Sequence, residues 1–278
     1  AYTITRTFTA TDECGNSSSA TQTITVQDTT APEFTSVPAD YTAQCDDDVE
    51  ILPATATDNC GAVTVTQSET YENGTCPNSY VLTVTFTATD DCGNSTSATQ
   101  TITVEDTTAP EFTSVPADYT AECSDNLVMD DATAMDNCDG PAEISVTSET
   151  TAGACAGEYT ITRTFTATDE CGNSTSATQT ITVQDTTAPE FTSVPSDYTA
   201  ECSDELVMDD ATASDNCGEV TIEVSSETTA GACAGAYTIT RTFTATDECG
   251  NSSSATQTIT DQDTTAPEFT SVPADYTA

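Results

Sequence analysis

The sequence lacks His, Lys and Trp entirely, and only three of its 278 residues are cationic. Without His there is no near-neutral imidazole for acid–base chemistry and no His ligand for zinc. Without Lys there is no Schiff-base amine and no partner for a Lys–Asn cross-link. Because most enzyme sites lose a member in this way, we predict that the chain is not an enzyme. Only a hydrolase site built from carboxylates stays open in principle.

Two other absences concern membranes and soft metals. No run of about 18 apolar residues occurs, so no segment is predicted to cross a membrane. No CxxC pair occurs, which excludes the usual zinc and iron–sulfur ligand sets. No signal peptide opens the sequence, but Ala1 falls inside a repeat, so we expect the true N-terminus to lie elsewhere.

Acidic residues, in contrast, are abundant. The 47 Asp and Glu give a formal net charge of −44. A charge of this size opposes binding to nucleic acid or to anionic membranes. It also requires counter-cations, and calcium prefers the carboxylate and carbonyl oxygens that this chain has in excess.

The chain is an array of near-identical repeats. The string DTTAPEFTSVP begins at Asp28, Asp106, Asp185 and Asp263. These starts recur with a period of about 78 residues, so we expect a window onto a longer array. The predicted domains are 1–27 (the C-terminal part of a repeat), 28–105 (repeat 1), 106–184 (repeat 2), 185–262 (repeat 3) and 263–278 (the first strand of another repeat).

Strict alternation predicts β-strands in each repeat. Tyr237–Thr246 reads YTITRTFTAT, with Thr at every second position, and residues 255–260 alternate again. Pro, Gly, Asn and Asp separate these segments, and no segment has a helical period. We predict an all-β chain of tandem immunoglobulin-like β-sandwich domains with two disulfides each.

Thirteen regularly spaced Cys indicate an oxidising, extracellular setting. We call the end where DTTAPE enters a repeat its top. Strand direction then places the first and third Cys at the bottom and the second and fourth at the top. Pairing within each end, over loops of about 30 residues, would contribute about 3–4 kcal/mol per disulfide. The predicted pairs are Cys45–Cys76, Cys60–Cys92, Cys123–Cys155, Cys138–Cys171, Cys202–Cys233 and Cys217–Cys249, with Cys14 left over.

Acidic side chains from the linker and two turns converge at each predicted top. Such a cluster fits a hard cation, and we predict calcium there, stiffening the link between repeats. The alternative is that Asp and Asn only stabilise their own turns. The predicted ligands are Asp28, Asp58, Asn59 and Asp90; Asp106, Asp136, Asn137 and Asp169; and Asp185, Asp215, Asn216 and Asp247. The lower run Asp46–Asp48 is interpreted as a solvated face.

Arg241, like Arg163 and Arg6, shares a strand face with apolar side chains. Its stem can lie on apolar surface while its head reaches a carboxylate. We expect an ion pair within the repeat, and keep open a contact to a neighbouring repeat or subunit. The GNS turns at Asn16, Asn94, Asn173 and Asn251, and the motif at Asn73, match N-glycosylation sequences but are explained as turns.

The recurring ATDNCG, TFTATDECGN and TVQDTTAPEF resemble the HYR-like repeats of secreted surface proteins in Bacteroidetes-type bacteria, including gliding-motility adhesins. The resemblance covers the whole chain and implies an immunoglobulin-like fold, export to the cell surface, and a role in adhesion or as a spacer. It also implies O-glycan acceptors in the DTT motifs, at Thr29, Thr107, Thr186 and Thr264. Departures are Asp261, where other copies have Val, and Val84, where other copies have Arg.

The favoured function is structural: the repeat array of an extracellular fibre or adhesin stalk, with neighbouring repeats or further copies of itself as partners. The alternative is an adhesive module that binds glycans or a protein partner. The lack of Trp and the nearly copied loops disfavour that alternative. A carboxylate hydrolase would need one repeat with a unique acid pair, and none stands out.

Overall fold

A computed structural model describes residues 1–275, which fold into strands, turns and loops. Among these residues no helix is both long and apolar enough to cross a bilayer. The first two strands form an isolated hairpin, β1 (Tyr2–Thr11) and β2 (Ser17–Val26), which is exposed throughout.

Repeats 1 and 3 share one strand plan. Repeat 1 contains β3 (Glu33–Ser36), β4 (Tyr41–Gln44), β5 (Thr55–Thr57), β6 (Val63–Asn73), β7 (Tyr80–Asp90) and β8 (Ser95–Glu105). Repeat 2 contains β9 (Glu111–Ser114), β10 (Tyr119–Glu122), β11 (Thr133–Asp136), β12 (Gly140–Pro141), β13 (Glu143–Ala152), β14 (Tyr159–Thr168) and β15 (Ser174–Gln184). Repeat 3 contains β16 (Glu190–Ser193), β17 (Tyr198–Glu201), β18 (Thr212–Ser214), β19 (Val220–Ala230), β20 (Tyr237–Asp247) and β21 (Ser252–Gln262).

Each repeat has one large sheet and one small sheet. In repeat 1 the large sheet has the order β4-β8-β7-β6 and the small sheet pairs β3 with β5. The short β4 runs parallel to β8, and the other neighbours in the large sheet are antiparallel. Repeat 3 repeats both sheets, and repeat 2 adds β12 to its small sheet. The prediction of tandem all-β sandwiches is confirmed.

The chain divides into two compact units, and the boundary passes through repeat 2. One unit contains Ala1–Ser114, Ala132–Ser145 and Thr166–Ser176. The other contains Val115–Asp131, Val146–Phe165 and the chain from Ala177 onward. Every disulfide described below lies within a single unit.

The core follows the period of two. Along β7 the residues Leu82, Val84, Phe86 and Ala88 are buried, and the Thr residues between them are only partly covered. Phe34 of the small sheet packs against this face. Asp90 continues the same face at the end of the strand and is buried too, so alternation carries a carboxylate to the top of the repeat.

The Arg residues of repeats 2 and 3 bond within their own repeats. Arg241 is 5% exposed, donates to the Asp209 carbonyl at 2.6 Å and to Gln257 at 3.0 Å, and lies 3.7 Å from Asp210. Arg163 makes the equivalent bonds, with Asp131 at 3.9 Å. The intra-repeat ion pair predicted for these two residues is confirmed. In repeat 1, where Val84 replaces Arg, the buried Oε1 of Gln100 has no donor among the described residues.

Candidate functional site: the joint between repeats

Many of the predicted site residues lie where one described repeat ends and the next begins. We call these regions the first joint, between repeats 1 and 2, and the second joint, between repeats 2 and 3. Two bottom turns of one repeat, the linker, and two top turns of the next repeat build each joint. The first joint comprises residues 44–47, 76–79, 105–108, 136–139 and 169–173, and the second comprises 122–125, 155–158, 184–187, 215–217 and 247–251.

Two disulfides cross each joint. In the first joint Cys45 is bonded to Cys138 and Cys76 to Cys171, with Cα–Cα distances of 5.8 and 5.1 Å. In the second joint Cys123 is bonded to Cys217 and Cys155 to Cys249, at 5.9 and 5.1 Å. The first Cys of a repeat therefore pairs with the second Cys of the next repeat, and the third pairs with the fourth.

The predicted pairing within repeats is wrong, although each bonded Cys lies at the end predicted for it. Cys45 follows β4, whereas Cys76 lies in the turn between β6 and β7. Because β8 separates β4 from β7, these positions are two to three strand spacings apart, about 10–14 Å. A disulfide needs Cα atoms within about 7 Å. The wrong pairs are Cys45–Cys76, Cys60–Cys92, Cys123–Cys155, Cys138–Cys171, Cys202–Cys233 and Cys217–Cys249.

Five cysteines are unpaired and exposed: Cys14, Cys60, Cys92, Cys202 and Cys233. Cys60 and Cys92 occupy the top positions of repeat 1, which pair backward in repeats 2 and 3. Cys202 and Cys233 occupy the bottom positions of repeat 3, which pair forward in repeats 1 and 2. These four positions are therefore equivalent to bonded ones.

Carboxylates surround the linker in the first joint, as predicted. A carboxylate oxygen of Asp106 lies within 4.8 Å of one from Asp136 and of one from Asp169. Asp106 and Asp136 are each 7% exposed, and one oxygen of each has no donor among residues 1–275. Burial raises the pKa of Asp106, and the charges of Asp136 and Asp169 raise it further. The hydrogen bond from the Thr108 N–H lowers this pKa but does not cancel the rise.

Asp139 adds a fourth carboxylate that sequence reasoning missed. Its Oδ2 is also buried without a donor in the described chain. The signal was present, because repeat 2 reads DNCDG where repeats 1 and 3 read DNCG. The inserted residue leads into Gly140, whose φ of +83° suits glycine and which starts β12.

The second joint has a similar cluster. Burial raises the pKa of Asp185, and the charges of Asp215, Asp247 and Glu122 add to this against the hydrogen bond from the Thr187 N–H. Asp215 has one buried oxygen without a donor among residues 1–275. At the top of repeat 1, Asp28 and Asp58 both lie beside Cys60. One oxygen of Asp58 is also buried without a donor among residues 1–275.

The Asn residues predicted as cation ligands lie elsewhere in the joints. The Asn137 side chain donates to Cys138 Sγ at 3.2 Å, and Asn216 donates to Cys217 Sγ at 2.9 Å. Both amides thus lie on the disulfides and not on the carboxylates. Asn59 is exposed.

The GNS turns instead supply a half-buried amide. Asn173 donates through Nδ2 to Asp169 Oδ2 at 2.9 Å and to the Asp106 carbonyl at 3.1 Å, so it ties the second top turn to the linker. Asn94 and Asn251 do the same in repeats 1 and 3. The Asn94 side chain is the main cause of a lowered pKa at Asp90. Glycosylation of these amides would break the tie.

Each joint also has hydrogen bonds between the end of a short strand and the linker. Gln44 Nε2 donates to Thr107 Oγ1 at 2.6 Å, and the Thr107 N–H donates to Gln44 Oε1 at 3.2 Å. Glu122 accepts from the N–H and hydroxyl of Thr186 in the same way, as Glu201 does from Thr264. Three of the predicted O-glycan acceptors therefore have engaged hydroxyls, and the glycan assignment stays a prediction, as it does for Thr29.

The chain has a recognisable family signature. Residues 112–183 and 191–260, just over half of the chain, match the HYR-like domain with four cysteines. The chain belongs to this family. Each matched segment contains the four cysteines of its repeat, and six of these eight cysteines take part in the disulfides of the joints.

No curated protein sequence matches the chain. Among solved structures, the protocadherin GammaB4 extracellular domain is 18% identical, with a TM-score of 0.32, over 94% of this chain and 54% of that one. Drosophila N-cadherin EC1-4 is 17% identical (TM-score 0.30; 94% and 84%), and mouse cadherin-23 EC22-24 is 12% identical (TM-score 0.33; 84% and 99%). The chain spans about half the length of the protocadherin structure. At TM-scores this low, the similarity to these structures does not indicate a function for this chain.

Proposed function

We propose that this HYR-like array is a structural segment of an extracellular fibre or adhesin stalk, held together by disulfides and calcium at its joints. The observation that carries the proposal is the double disulfide across each joint. Two covalent links beside the peptide linker oppose bending and twisting between repeats. Near-identical repeats joined in this way provide length and stiffness with little chemical variety.

Calcium is the cation that the first joint fits best. Asp106, Asp136 and Asp139 bury oxygens without donors, and an unpartnered buried carboxylate is costly. The neighbouring sulfurs are consumed in disulfides, so only hard oxygen ligands remain. Several Asp oxygens around one linker suit the flexible oxygen coordination of calcium.

The extracellular location follows from the same disulfides, since they persist in oxidising compartments. A cell-surface array in a Bacteroidetes-type bacterium, of the gliding-adhesin kind, is the setting that the sequence motifs favour. Neighbouring repeats or further copies of the chain are the proposed partners. We propose no enzymatic role, because the site consists of turn carboxylates and cystines repeated from joint to joint.

Thermal unfolding of the 278-residue chain under non-reducing conditions tests the calcium brace. We expect a higher melting temperature in calcium than in chelator, because a ligand that binds only the folded joint stabilises it. Fluorophores on repeats 1 and 3 should report one narrow distance distribution in calcium. Equal melting temperatures would reject the calcium site, and a broad distribution in calcium would reject the stiff stalk.

A further inference from the structure

The disulfides connect repeat 2 to both of its neighbours. Repeat 2 is bonded backward through Cys138 and Cys171 at its top, and forward through Cys123 and Cys155 at its bottom. We propose that these cystines form a covalent ladder that carries tension along the array and limits how far the repeats lengthen when they unfold.

The ladder follows from the length of the covalent route through a repeat. Tension that enters repeat 2 at Cys138 can leave it at Cys123, and tension that enters at Cys171 can leave at Cys155. Each of these routes contains only about 15 residues of backbone, whereas the whole repeat contains about 79 residues that could be drawn out. Most of the backbone therefore lies outside the shortest load path.

This difference limits the extension. A route of about 15 residues spans at most about 50–55 Å when fully extended, whereas about 79 residues span about 270 Å. A folded strand of about ten residues already covers about 35 Å. Complete unfolding of repeat 2 would thus lengthen it by about 15–20 Å, in place of more than about 200 Å.

Three short backbone segments connect top and bottom cysteines in repeat 2: Cys123–Cys138, Cys155–Cys171, and the segment between them, Cys138–Cys155. We call the first two the legs of the ladder. One leg runs from the first Cys to the second and contains β11 in repeat 2, and the other runs from the third to the fourth and contains β14. Pairs within a repeat would have joined the two legs at each end and left the peptide linker as the only connection between repeats. Pairing across the joints is what makes the route continuous.

This inference rests on the proposed structural role but concerns a separate property. A stalk stiffened by calcium can still lengthen by unfolding under load, as arrays without cross-links between domains do. While the sulfurs stay oxidised, the ladder restricts that lengthening to the short covalent route. The strength of the calcium brace does not enter the length of the covalent route.

Force spectroscopy on the 278-residue chain, held by its two termini, tests the ladder. The shortest oxidised route runs from Ala1 to Cys45, from Cys138 to Cys155 and from Cys249 to Ala278, which is about 90 residues of extensible backbone. We expect a final contour length about one third of that reached after reduction. Replacing Cys45, Cys76, Cys138 and Cys171 by Ser should about double the oxidised length, because the route then follows the backbone as far as Cys155.

The matched control replaces the five unpaired cysteines, Cys14, Cys60, Cys92, Cys202 and Cys233, by Ser. This variant keeps all four disulfides and should keep the short contour. A native chain whose oxidised contour is about two thirds of the reduced one, the value for six pairs within repeats, would overturn the ladder. Equal lengths before and after reduction would overturn it as well. Neither result would touch the calcium melts, so failure of the ladder and failure of the brace can be told apart.

Discussion

The two joints connect consecutive repeats in the same way but use different side chains at equivalent positions. In the first joint the Asn78 side chain donates to the Cys138 carbonyl at 2.8 Å, from a backbone with φ of 58°. In the second joint the equivalent residue is Gly157, with φ of +90°, and a Cβ there would lie 3.2 Å from the Cys217 Cβ. At this position a hydrogen bond from Asn78 connects the two repeats of the first joint. In the second joint the backbone of Gly157 instead lies close to Cys217.

The linker contacts differ in the same manner. Gln44 holds Thr107 in the first joint, whereas the charged Glu122 holds Thr186 in the second. The first joint has the neutral Gln44 where the second has the charged Glu122, but it has an additional carboxylate, Asp139, that the second lacks. Both joints have two disulfides and three Asp residues from the linker and the top turns. These are the groups that the two joints share.

The largest expected effect comes from removing both disulfides of one joint. Replacing Cys45, Cys76, Cys138 and Cys171 by Ser should lower the free energy of unfolding by about 4–5 kcal/mol for the first disulfide and by less for the second. The sequence separations of 93 and 95 residues give this value in the chain-entropy model. Chemical denaturation of native and variant chains measures it.

The same change in the second joint, at Cys123, Cys155, Cys217 and Cys249, should cost about as much, because both of its disulfides have a sequence separation of 94 residues. Cys14→Ser, at an unpaired position, is the control and should have no effect. A large inequality between the joints would show that their differing side chains, and not the shared disulfides, decide stability.

An intermediate effect, whose sign depends on calcium, is expected for Asp106→Asn. The pKa of Asp106 is raised in the folded state, so ionisation opposes folding above that pKa. In chelator at about pH 7 the variant should melt about 2–4 °C higher than the native chain, the shift that about 1 kcal/mol produces in a chain of this size. The difference should vanish below the unfolded pKa of about 3.9, where Asp106 is protonated in both states. In calcium the variant should melt lower, because a ligand is lost.

Asp185→Asn is the matched change in the second joint and should behave in the same way, since burial and neighbouring carboxylates raise the pKa of Asp185 too. Melting curves across the acidic range up to neutral pH, each in calcium and in chelator, test both variants. A melting temperature that rises in calcium as well would mean that the carboxylate only repels its neighbours and binds no cation.

The smallest expected difference, that between Gly157→Ala and Gly235→Ala, measures how much the close approach at Gly157 contributes to the second joint. Gly157→Ala should cost about 1–3 kcal/mol, because Ala resists positive φ and its Cβ approaches Cys217. Gly235→Ala is the control, because Gly235 has φ of +92° and open space around it, so it reports backbone strain alone. Asn78→Gly should cost about 1 kcal/mol through the lost hydrogen bond. Amide hydrogen exchange in the turn around each substituted residue measures all three costs. Equal costs for Gly157 and Gly235 would show that close approach contributes nothing.

Much of this arrangement follows from local patterns. Alternation in YTITRTFTAT predicts the strands, their direction, and the end of the repeat at which each Cys lies. In repeat 1 the alternation continues to Asp90, which lies on the buried face of Leu82 and Phe86. The meeting of Asp106 with Asp136 and Asp169 follows from the same reasoning about ends.

The disulfide pairing could not be obtained in this way. It depends on which strands are neighbours in a sheet, and the parallel β4–β8 pair is a non-local feature without a periodic signal. Cys45 and Cys76 share an end but lie on different strands, and only the sheet order separates them. The seating of Asn78 and the position of the Asn137 amide depend in turn on how two repeats meet.

In this pairing, two cysteines of repeat 2 bond backward to repeat 1 and two bond forward to repeat 3, and the same positions pair at both joints. Inserting or deleting one whole repeat between two others therefore leaves each sulfur beside a partner of the right kind. Recombination between near-identical coding repeats can thus change the length of the molecule while its cross-linking rule is inherited unchanged. A crossover between positions that are not equivalent would leave an incomplete repeat, and some of its thiols would then lack a partner.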